Sequence, residues 1–130
     1  LIIIATVTPE MPFPSTACFV QDALGAKNAW AFDLAAACSG FVYGLHVVQQ
    51  FMENGRINKA LVIGAETLTK ITNWNDRASC ILFGDGAGAV VLERKTDAGR
   101  GIMYSTMGAD GEFWEALNCQ AHGFLFGHRA

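Results

Sequence analysis

The chain has 130 residues, enough for one domain with a buried core, and 52% of them are hydrophobic while only 16% are charged. The formal net charge is -3 and Lys and Arg form no basic run, which excludes the clustered positive charge of a nucleic-acid-binding surface. No apolar stretch approaches the roughly 20 residues of a membrane-spanning helix, so we expect neither nucleic acid nor a membrane as a partner.

The first predicted elements are a strand, a loop and a helix. Residues 1–6 are apolar and β-branched, which is typical of a central strand. Residues 8–14 contain all three prolines of the chain and predict a loop. A helix is predicted over residues 17–24, with Ser15 as its N-terminal cap and Gly25 at its end.

A second strand, a second helix and a third strand follow. Residues 29–36 and 60–65 predict the strands. The helix is predicted to begin at Cys38 or Ser39 and to end at Glu53, because one apolar stripe recurs at helical spacing and Asn-Gly follows. That stripe comprises Phe41, Leu45, Val48 and Met52.

The remaining sequence predicts a polar loop and three more strands. Residues 66–77 are read as loop with a helical turn, and residues 79–83 and 87–92 as strands paired around a Gly-Asp-Gly turn. Residues 102–107 predict a last strand. Strands that alternate with helices predict an α/β fold whose sheet is mostly parallel, mixed through the closing pair, and covered by helices.

Cys38 lies where the second strand gives way to the helix, within residues 35–41 (AAACSGF). Backbone N–H groups at a helix start are unpaired and the macrodipole there is positive, which favours a thiolate and lowers the thiol pKa. A nucleophilic cysteine needs that property at neutral pH, and active groups of such sheets lie at the carboxyl ends of strands. The alternative from the residues alone is a small buried hydrophobe.

The four cysteines, Cys18, Cys38, Cys80 and Cys119, lie far apart and form no C-x-x-C pair. That spacing disfavours a zinc site and a redox dithiol, and a disulfide framework does not fit so apolar a core. We therefore expect no metal, reduced thiols and a cytoplasmic setting.

Three other features each have a structural interpretation. Residues 84–89 (GDGAGA) are followed by an apolar strand, whereas a dinucleotide-binding loop opens a helix, so we predict a tight turn and a close-packed strand of small residues. Asp33, within an apolar strand, is predicted to be a hydrogen-bonded structural carboxylate. His46 has no second ligand at helical spacing and is predicted to be a packing residue, whereas His122 and His128 cannot be placed.

The roles of two residues, Phe13 and Arg77, each have two alternative interpretations. Phe13 is bracketed by Pro12 and Pro14, and is either a core plug or a contact to a pocket or a partner. Arg77 is either one half of a surface ion pair or an anchor for an anionic ligand.

In combination these motifs resemble β-ketoacyl-acyl-carrier-protein synthase III, a family of thiolase-fold condensing enzymes, over roughly residues 1–115. The matching segments are 13–15 (FPS), 36–41 (AACSGF), 75–77 (NDR), 83–89 (FGDGAGA) and 108–111 (GADG). The resemblance implies a thiolase-like fold in which residues 1–118 form one incomplete half-domain and residues 119–130 an unassigned tail. Leu1, which is not a methionine and stands in a strand already under way, also suggests a piece of a larger protein.

The resemblance implies an acyltransferase in which Cys38 accepts an acetyl or similar short acyl group from coenzyme A (CoA) as a thioester. Malonyl-acyl carrier protein would then lose CO₂ and attack that thioester, in the first condensation of type II fatty acid biosynthesis. Phe13 would reach across a homodimer into the partner's acyl pocket, Phe83 would line the active-site tunnel, and Arg77 would pack on the adenine of CoA. No cofactor is implied, because the CoA thioester is a substrate.

The family's catalytic histidine and asparagine lie in motifs that this chain lacks, so the resemblance implies that the chain alone does not complete the condensation. One rival is another thiolase-fold enzyme, such as a type III polyketide synthase or a related enzyme of secondary metabolism. A second rival is a non-catalytic fragment that acts as an interaction module.

Overall fold

The computed structural model describes residues 1–96, 99–112 and 114–119. Four strands form one sheet in the order β2-β1-β3-β4. Strand β1 pairs in parallel with both β2 and β3, and β4 runs antiparallel to β3, which confirms the prediction of a mixed, mostly parallel sheet. The strands are β1 (Ile2–Ala5), β2 (Ala31–Leu34), β3 (Lys59–Thr67) and β4 (Asp85–Glu93).

Two α-helices, α1 (Thr16–Ala23) and α2 (Gly40–Glu53), cover opposite faces of the sheet. Successive side chains of a strand point to opposite faces. Ile3 of β1 accordingly packs in the cluster that contains α2, while Ile2 and Ile4 pack in the cluster that contains α1. Strand β1 is buried along its whole length and forms the centre of the core.

The predicted stripe of α2 does face the core. Val48 is fully buried and Met52 is 9% exposed, and Phe41 and Leu45 pack against the same cluster. Gly44, on the same face, allows close approach, because an added Cβ would lie 3.1 Å from Cγ1 of Val62.

Gly40 occupies an even tighter position at the start of α2. A Cβ added there would lie 3.0 Å from Cβ of Ala5, the last residue of β1. The glycine therefore lets the first turn of α2 press directly on the carboxyl end of the central strand. This contact fixes where the helix, and the turn before it, meet the sheet.

Three local predictions were wrong. Residues 79–83 contain a 3₁₀ turn, Cys80–Leu82, where a strand was predicted. Strand β4 therefore pairs with β3 across a long excursion, residues 68–84, instead of closing a hairpin. Residues 102–107 form no strand.

The extents of several elements also differ from prediction. Strand β3 runs two residues further than expected, so Glu66 and Thr67 belong to the sheet and not to a loop. Strand β2 is shorter than predicted. Strand β4 is exposed along almost its entire length, with only Leu92 half-buried.

Within the described part of the chain, no helix is long and apolar enough to cross a membrane.

Candidate functional site

The carboxyl ends of β1, β2 and β3 lie at one edge of the sheet, because these strands are parallel. The antiparallel β4 begins at the same edge, where Asp85 pairs with Thr67. Three connections therefore start here: residues 6–15 after β1, residues 35–39 after β2 and residues 68–84 after β3. Every site residue suggested by the sequence lies on one of these three connections. Phe13 lies on the first, Cys38 on the second, and Arg77 and Phe83 on the third.

Cys38 is exposed and lies in a 3₁₀ turn, Ala37–Ser39, between β2 and α2. The predicted helix start was therefore too early, since α2 begins at Gly40. Ala37 has a φ of 44°, which L side chains rarely adopt, and Ala36 has φ -144° and ψ 30°. Such strained backbone is found preferentially at functional sites. In this chain the residue with that backbone is Ala37, which directly precedes Cys38.

The backbone N–H of Cys38 has no hydrogen-bond partner within the described part of the chain. The first hydrogen bond of the turn runs from the Ser39 N–H to the Ala36 carbonyl at 3.1 Å, and the Gly40 N–H donates to Ala37. The N–H of Cys38 precedes these donors and is one of the groups that a helix start leaves unpaired. It is placed to donate to an oxygen beside the thiol.

Phe13 is 82% exposed, so it does not plug the core of this chain. Pro12 and Pro14 flank it, and the Phe13–Pro14 peptide bond is cis. An aromatic ring held in solvent by a stiff loop is suited to contact a pocket or a partner. The contact to a pocket or a partner stays a prediction.

Arg77 is exposed on the excursion 68–84. The preceding Asp76 closes a turn by accepting hydrogen bonds from the Ser79 hydroxyl at 2.6 Å and the Ala78 N–H at 3.0 Å. The hydrogen bond from Ser79, and then that from Ala78, lower the pKa of Asp76. No ion pair to Arg77 occurs among the described residues, which leaves its guanidinium available to a ligand. Phe83 is half-buried and extended between the 3₁₀ turn and β4.

Asp85 ties the two ends of this excursion together. Its carboxylate accepts hydrogen bonds from the Thr69 N–H at 2.9 Å and the Thr69 hydroxyl at 2.7 Å. These bonds, the backbone one first, lower the pKa of Asp85. The segment that carries Arg77 and Phe83 is therefore anchored to the first residue of β4.

Asp85→Asn is expected to lower stability near neutral pH but not in acid. A depressed carboxyl pKa contributes stability above the unfolded value of about 3.9, and that contribution is lost as pH falls through the folded value. The urea midpoints of wild type and variant should therefore differ between about pH 5 and pH 7 and converge below about pH 4. Asp22→Asn, at an exposed position of α1, removes the same charge and serves as the control. A difference that is constant with pH would contradict this role for Asp85.

Glu66 was not predicted as a site residue, because residues 66–77 were expected to form a loop. Its carboxylate accepts from the Val7 N–H at 2.9 Å, the Thr8 hydroxyl at 2.6 Å and the Thr6 hydroxyl at 3.3 Å. The signal available was an acidic residue directly after an apolar strand, a position typical of the carboxyl edge of a parallel sheet.

Asp33 is a structural carboxylate, as predicted. It accepts hydrogen bonds from the N–H groups of Thr16 at 2.7 Å and Ala17 at 2.8 Å, and so caps α1. The predicted cap, Ser15, makes no capping hydrogen bond, and its hydroxyl lies 3.3 Å from the sulfur of Cys18. The aspartate of the neighbouring strand occupies the role that local sequence assigned to the serine.

His46 is a packing residue in the structure. Its Nδ1 is hydrogen-bonded to the Ser105 hydroxyl, and the Tyr43 hydroxyl donates to the Gly108 carbonyl. These bonds hold residues 105–108 against α2. Among the described residues no group of three His, Cys, Asp or Glu side chains could hold a metal ion. His122 and His128 lie outside the described residues.

A family model and a curated relative that match this chain carry the same description, synthase III. The family model described as 3-Oxoacyl-[acyl-carrier-protein (ACP)] synthase III matches residues 32–111. The Beta-ketoacyl-[acyl-carrier-protein] synthase III of Caldanaerobacter subterraneus subsp. tengcongensis is 58% identical over 123 residues, which are 95% of this chain and 37% of that protein. The chain thus spans little more than a third of the length of this curated relative.

Solved structures share the fold. The 3-oxoacyl-[acyl-carrier-protein] synthase III from Aquifex aeolicus VF5 superposes with a TM-score of 0.72 at 55% identity, over 74% of this chain and 31% of that one. The priming β-ketosynthase from the R1128 polyketide biosynthetic pathway gives 0.69 at 36% identity, over 72% of this chain and 28% of that one. The chain therefore has part of a thiolase-like fold, as the sequence predicted.

Proposed function

The chain belongs to the 3-oxoacyl-[acyl-carrier-protein (ACP)] synthase III family, and on this premise we propose that it supplies the nucleophile of a decarboxylative Claisen condensation. The substrates are a short acyl-CoA, with acetyl-CoA as the first choice, and malonyl-ACP, and the reaction begins type II fatty acid biosynthesis. The observation that carries the proposal is Cys38, an exposed thiol on strained backbone at the carboxyl edge of the sheet. A thiolate attacks well, and its thioester stays reactive enough to pass the acyl group on.

In the first step the Cys38 sulfur attacks the thioester carbonyl of acyl-CoA. A new C–S bond forms, the C–S bond to CoA breaks, and the proton from the Cys38 thiol ends on the CoA thiol. The Cys38 N–H stabilises the negative oxygen of the tetrahedral intermediate, which is where a preorganised donor contributes most. In the second step malonyl-ACP loses CO₂, its carbanion attacks the new thioester, and the Cys38 thiolate leaves.

The other site residues serve binding. Arg77 packs on the adenine of CoA, and Phe83 lines the tunnel that admits the acyl group. Phe13 enters the acyl pocket of the partner in a homodimer, a role supported by its 82% exposure. The enzyme needs no cofactor, since CoA arrives as the substrate's carrier, and it acts in the cytoplasm with reduced cysteines.

We expect the chain by itself to accept an acyl group without completing the condensation. The family's motifs for the catalytic histidine and asparagine do not occur in this sequence, and the chain spans 37% of its relative from Caldanaerobacter. Residues 1–118 form the half-domain with the nucleophile. Of the unassigned tail, residues 120–130 lie outside the described part of the structure.

This function is tested by the release of CoA from acetyl-CoA. The release is measured by chromatography with the wild-type chain and with Cys38→Ser. We expect release of at most one CoA per folded chain, none in the variant, and no further release when malonyl-ACP is added. A wild-type chain that circular dichroism shows to be folded, yet that releases no CoA, would overturn the acyl-transfer proposal. That result would support the rival interpretation, a non-catalytic interaction module.

Arg77→Ala is expected to raise the acetyl-CoA concentration for half-maximal acylation about fivefold, which corresponds to about 1 kcal/mol for stacking of a cation on an aromatic ring. The maximal rate should not change, because the contact is equal in ground and transition states. Acetyl-pantetheine lacks the adenine and provides the control substrate. An equal loss with both substrates would exclude the adenine contact.

The priming β-ketosynthase of the R1128 pathway favours a second candidate, a condensing enzyme of polyketide biosynthesis. Its identity to this chain is 36%, against 58% for the synthase III from Caldanaerobacter. Acylation rates with acetyl-, butyryl- and hexanoyl-CoA separate the two. Acetyl-CoA is the primer proposed above, so a clear preference for the longer primers would contradict the synthase III assignment.

A further inference from the structure

Residues 6–15, here called the Phe13 loop, connect the carboxyl end of β1 to the start of α1. The middle of the loop is exposed, including Met11, which is 39% exposed, and Phe13, which is 82% exposed. A loop with so little contact of its own takes its position from its two ends. Each end is held by the carboxylate of a neighbouring strand.

The end that leaves β1 is held by Glu66 of β3. One Glu66 oxygen accepts from the Val7 N–H at 2.9 Å, and the other from the Thr8 hydroxyl at 2.6 Å and the Thr6 hydroxyl at 3.3 Å. Thr6 and Thr8 are each 6% exposed, and the Thr8 hydroxyl also accepts from the Thr67 N–H at 2.8 Å. Hydrogen bonds to an ionised carboxylate are stronger than neutral ones, so this end of the loop has one preferred arrangement.

The end that enters α1 is held by Asp33 of β2, through the N–H groups of Thr16 and Ala17 at 2.7 and 2.8 Å. The first turn of α1 contains no acidic residue of its own. A negative carboxylate is favourable at a helix N-terminus. Asp33 also lies on the strand that runs directly into the Cys38 turn, so it connects the start of α1 to the backbone that presents the thiol.

In the middle of the Phe13 loop, Glu10 makes weaker contacts than those that hold the two ends. The Glu10 N–H donates to the Thr16 hydroxyl at 3.2 Å. The Glu10 carboxylate lies 3.7 Å from Nζ of Lys70, and both side chains are well exposed. Exposed ion pairs contribute little to holding a geometry.

We propose that Asp33 and Glu66 are positioning residues that together set where Phe13 lies relative to the sheet and α2, and so how its ring is presented to the partner's acyl pocket. Neither carboxylate touches the reacting atoms in this role. The functional consequence, a defined acyl pocket, rests on the function proposed above. The placement of the loop itself does not, and it can be measured separately.

Distances between spin labels test the placement directly. Labels are attached at Phe13→Cys and Gln50→Cys, the latter on the exposed side of α2, in a chain whose four native cysteines are replaced by serine. We expect one narrow distance distribution in this background, and loss of the narrow peak in Glu66→Gln and in Asp33→Asn. Glu93→Gln at the end of β4 should retain the peak, because the partners of that carboxylate among the described residues are two exposed lysines, Lys59 and Lys95.

A second label pair, Asp22→Cys with Gln50→Cys, joins the two helices and reports whether a variant keeps its fold. Its distribution should stay narrow throughout. If Asp33→Asn unfolds the chain, Glu66→Gln still decides the outcome. A narrow Phe13 distribution in folded variants would overturn the positioning proposal, whatever acyl transfer shows.

Acyl-chain preference provides the functional readout, in chains that retain Cys38. Phe13→Ala, Glu66→Gln and Asp33→Asn should all shift the ratio of acetyl to butyryl transfer in the same direction, while Glu93→Gln should not. Loss of stability alone would lower both rates and leave their ratio unchanged. A wild-type chain that accepts no acyl group overturns the proposed function and leaves the distance measurement as the test of the loop.

Discussion

Gly40→Ala is expected to slow acyl transfer to Cys38 about tenfold, because the added methyl requires a shift of a few tenths of an ångström and a full 1 Å displacement at a reacting group costs about 100-fold. The added methyl would lie 3.0 Å from Cβ of Ala5. That atom is attached directly to the central strand and cannot rotate away, so the first turn of α2 must shift. The 3₁₀ turn with Cys38 precedes that turn immediately and would move with it. Single-turnover acylation rates measure the effect.

The same substitution should lower the free energy of unfolding by only about 1–2 kcal/mol, since overpacking is partly offset by the higher helix propensity of alanine. Gly111→Ala provides a matched control, because nothing lies within 4 Å of an added Cβ there. A Gly40→Ala chain that accepts an acyl group at the wild-type rate would show that the packing of α2 on β1 does not position Cys38.

Ile3→Ala is expected to have the largest effect on stability, a loss of about 3–4 kcal/mol, because it leaves a cavity in the core. Ile3 is fully buried and packs in the cluster that joins β1, α2 and β3. A loss of that size is a large fraction of the stability of an ordinary small domain, about 5–15 kcal/mol. Urea unfolding followed by circular dichroism measures it.

Val91→Ala on β4 removes apolar atoms from a side chain that is 75% exposed. We expect a change within about 0.5 kcal/mol, as is usual for surface substitutions. Equal losses in the two variants would contradict the assignment of the core to β1 and its neighbours.

The apolar pattern predicted the order β1, α1, β2, α2 and β3, because in each segment the local period agrees with the packing that the structure shows. The stripe of α2 is one such case, since its residues repeat at helical spacing and all face the core. In residues 79–83 the local pattern failed. Those residues are apolar, but backbone hydrogen bonds from Cys80 to Asp76 at 2.9 Å and from Leu82 to Ser79 at 3.0 Å close turns instead.

Long-range pairing was not visible in the local pattern. Strand β4 pairs with β3, for example at Ile63 and Ala89, and no short-range signal indicates a partner that far along the chain. Residues 102–107 have strand-like composition, but the structure docks this segment on α2 through the His46–Ser105 hydrogen bond. Composition alone does not distinguish these outcomes.

The candidate site was partly predictable for a similar reason. Cys38 stands out because a strand-to-helix junction is a local feature. The positioning roles proposed for Asp33 and Glu66 depend on residues more than ten positions away along the chain. The sequence therefore indicates at most that a carboxylate in or after an apolar strand needs hydrogen-bond partners. The φ of 44° at Ala37 had no signal at all, since alanine gives no indication of left-handed backbone.

Peptide mass spectrometry after incubation with acetyl-CoA tests the central claim most directly, with Cys38→Ser as the control. Cys38 and Cys119 are both exposed, so exposure alone would predict acylation of both. We expect one acetyl group on Cys38 and none on Cys119, Cys18 or Cys80, and no adduct in the control. Equal acetylation of Cys38 and Cys119, or no acetylation of a folded wild-type chain, would contradict it.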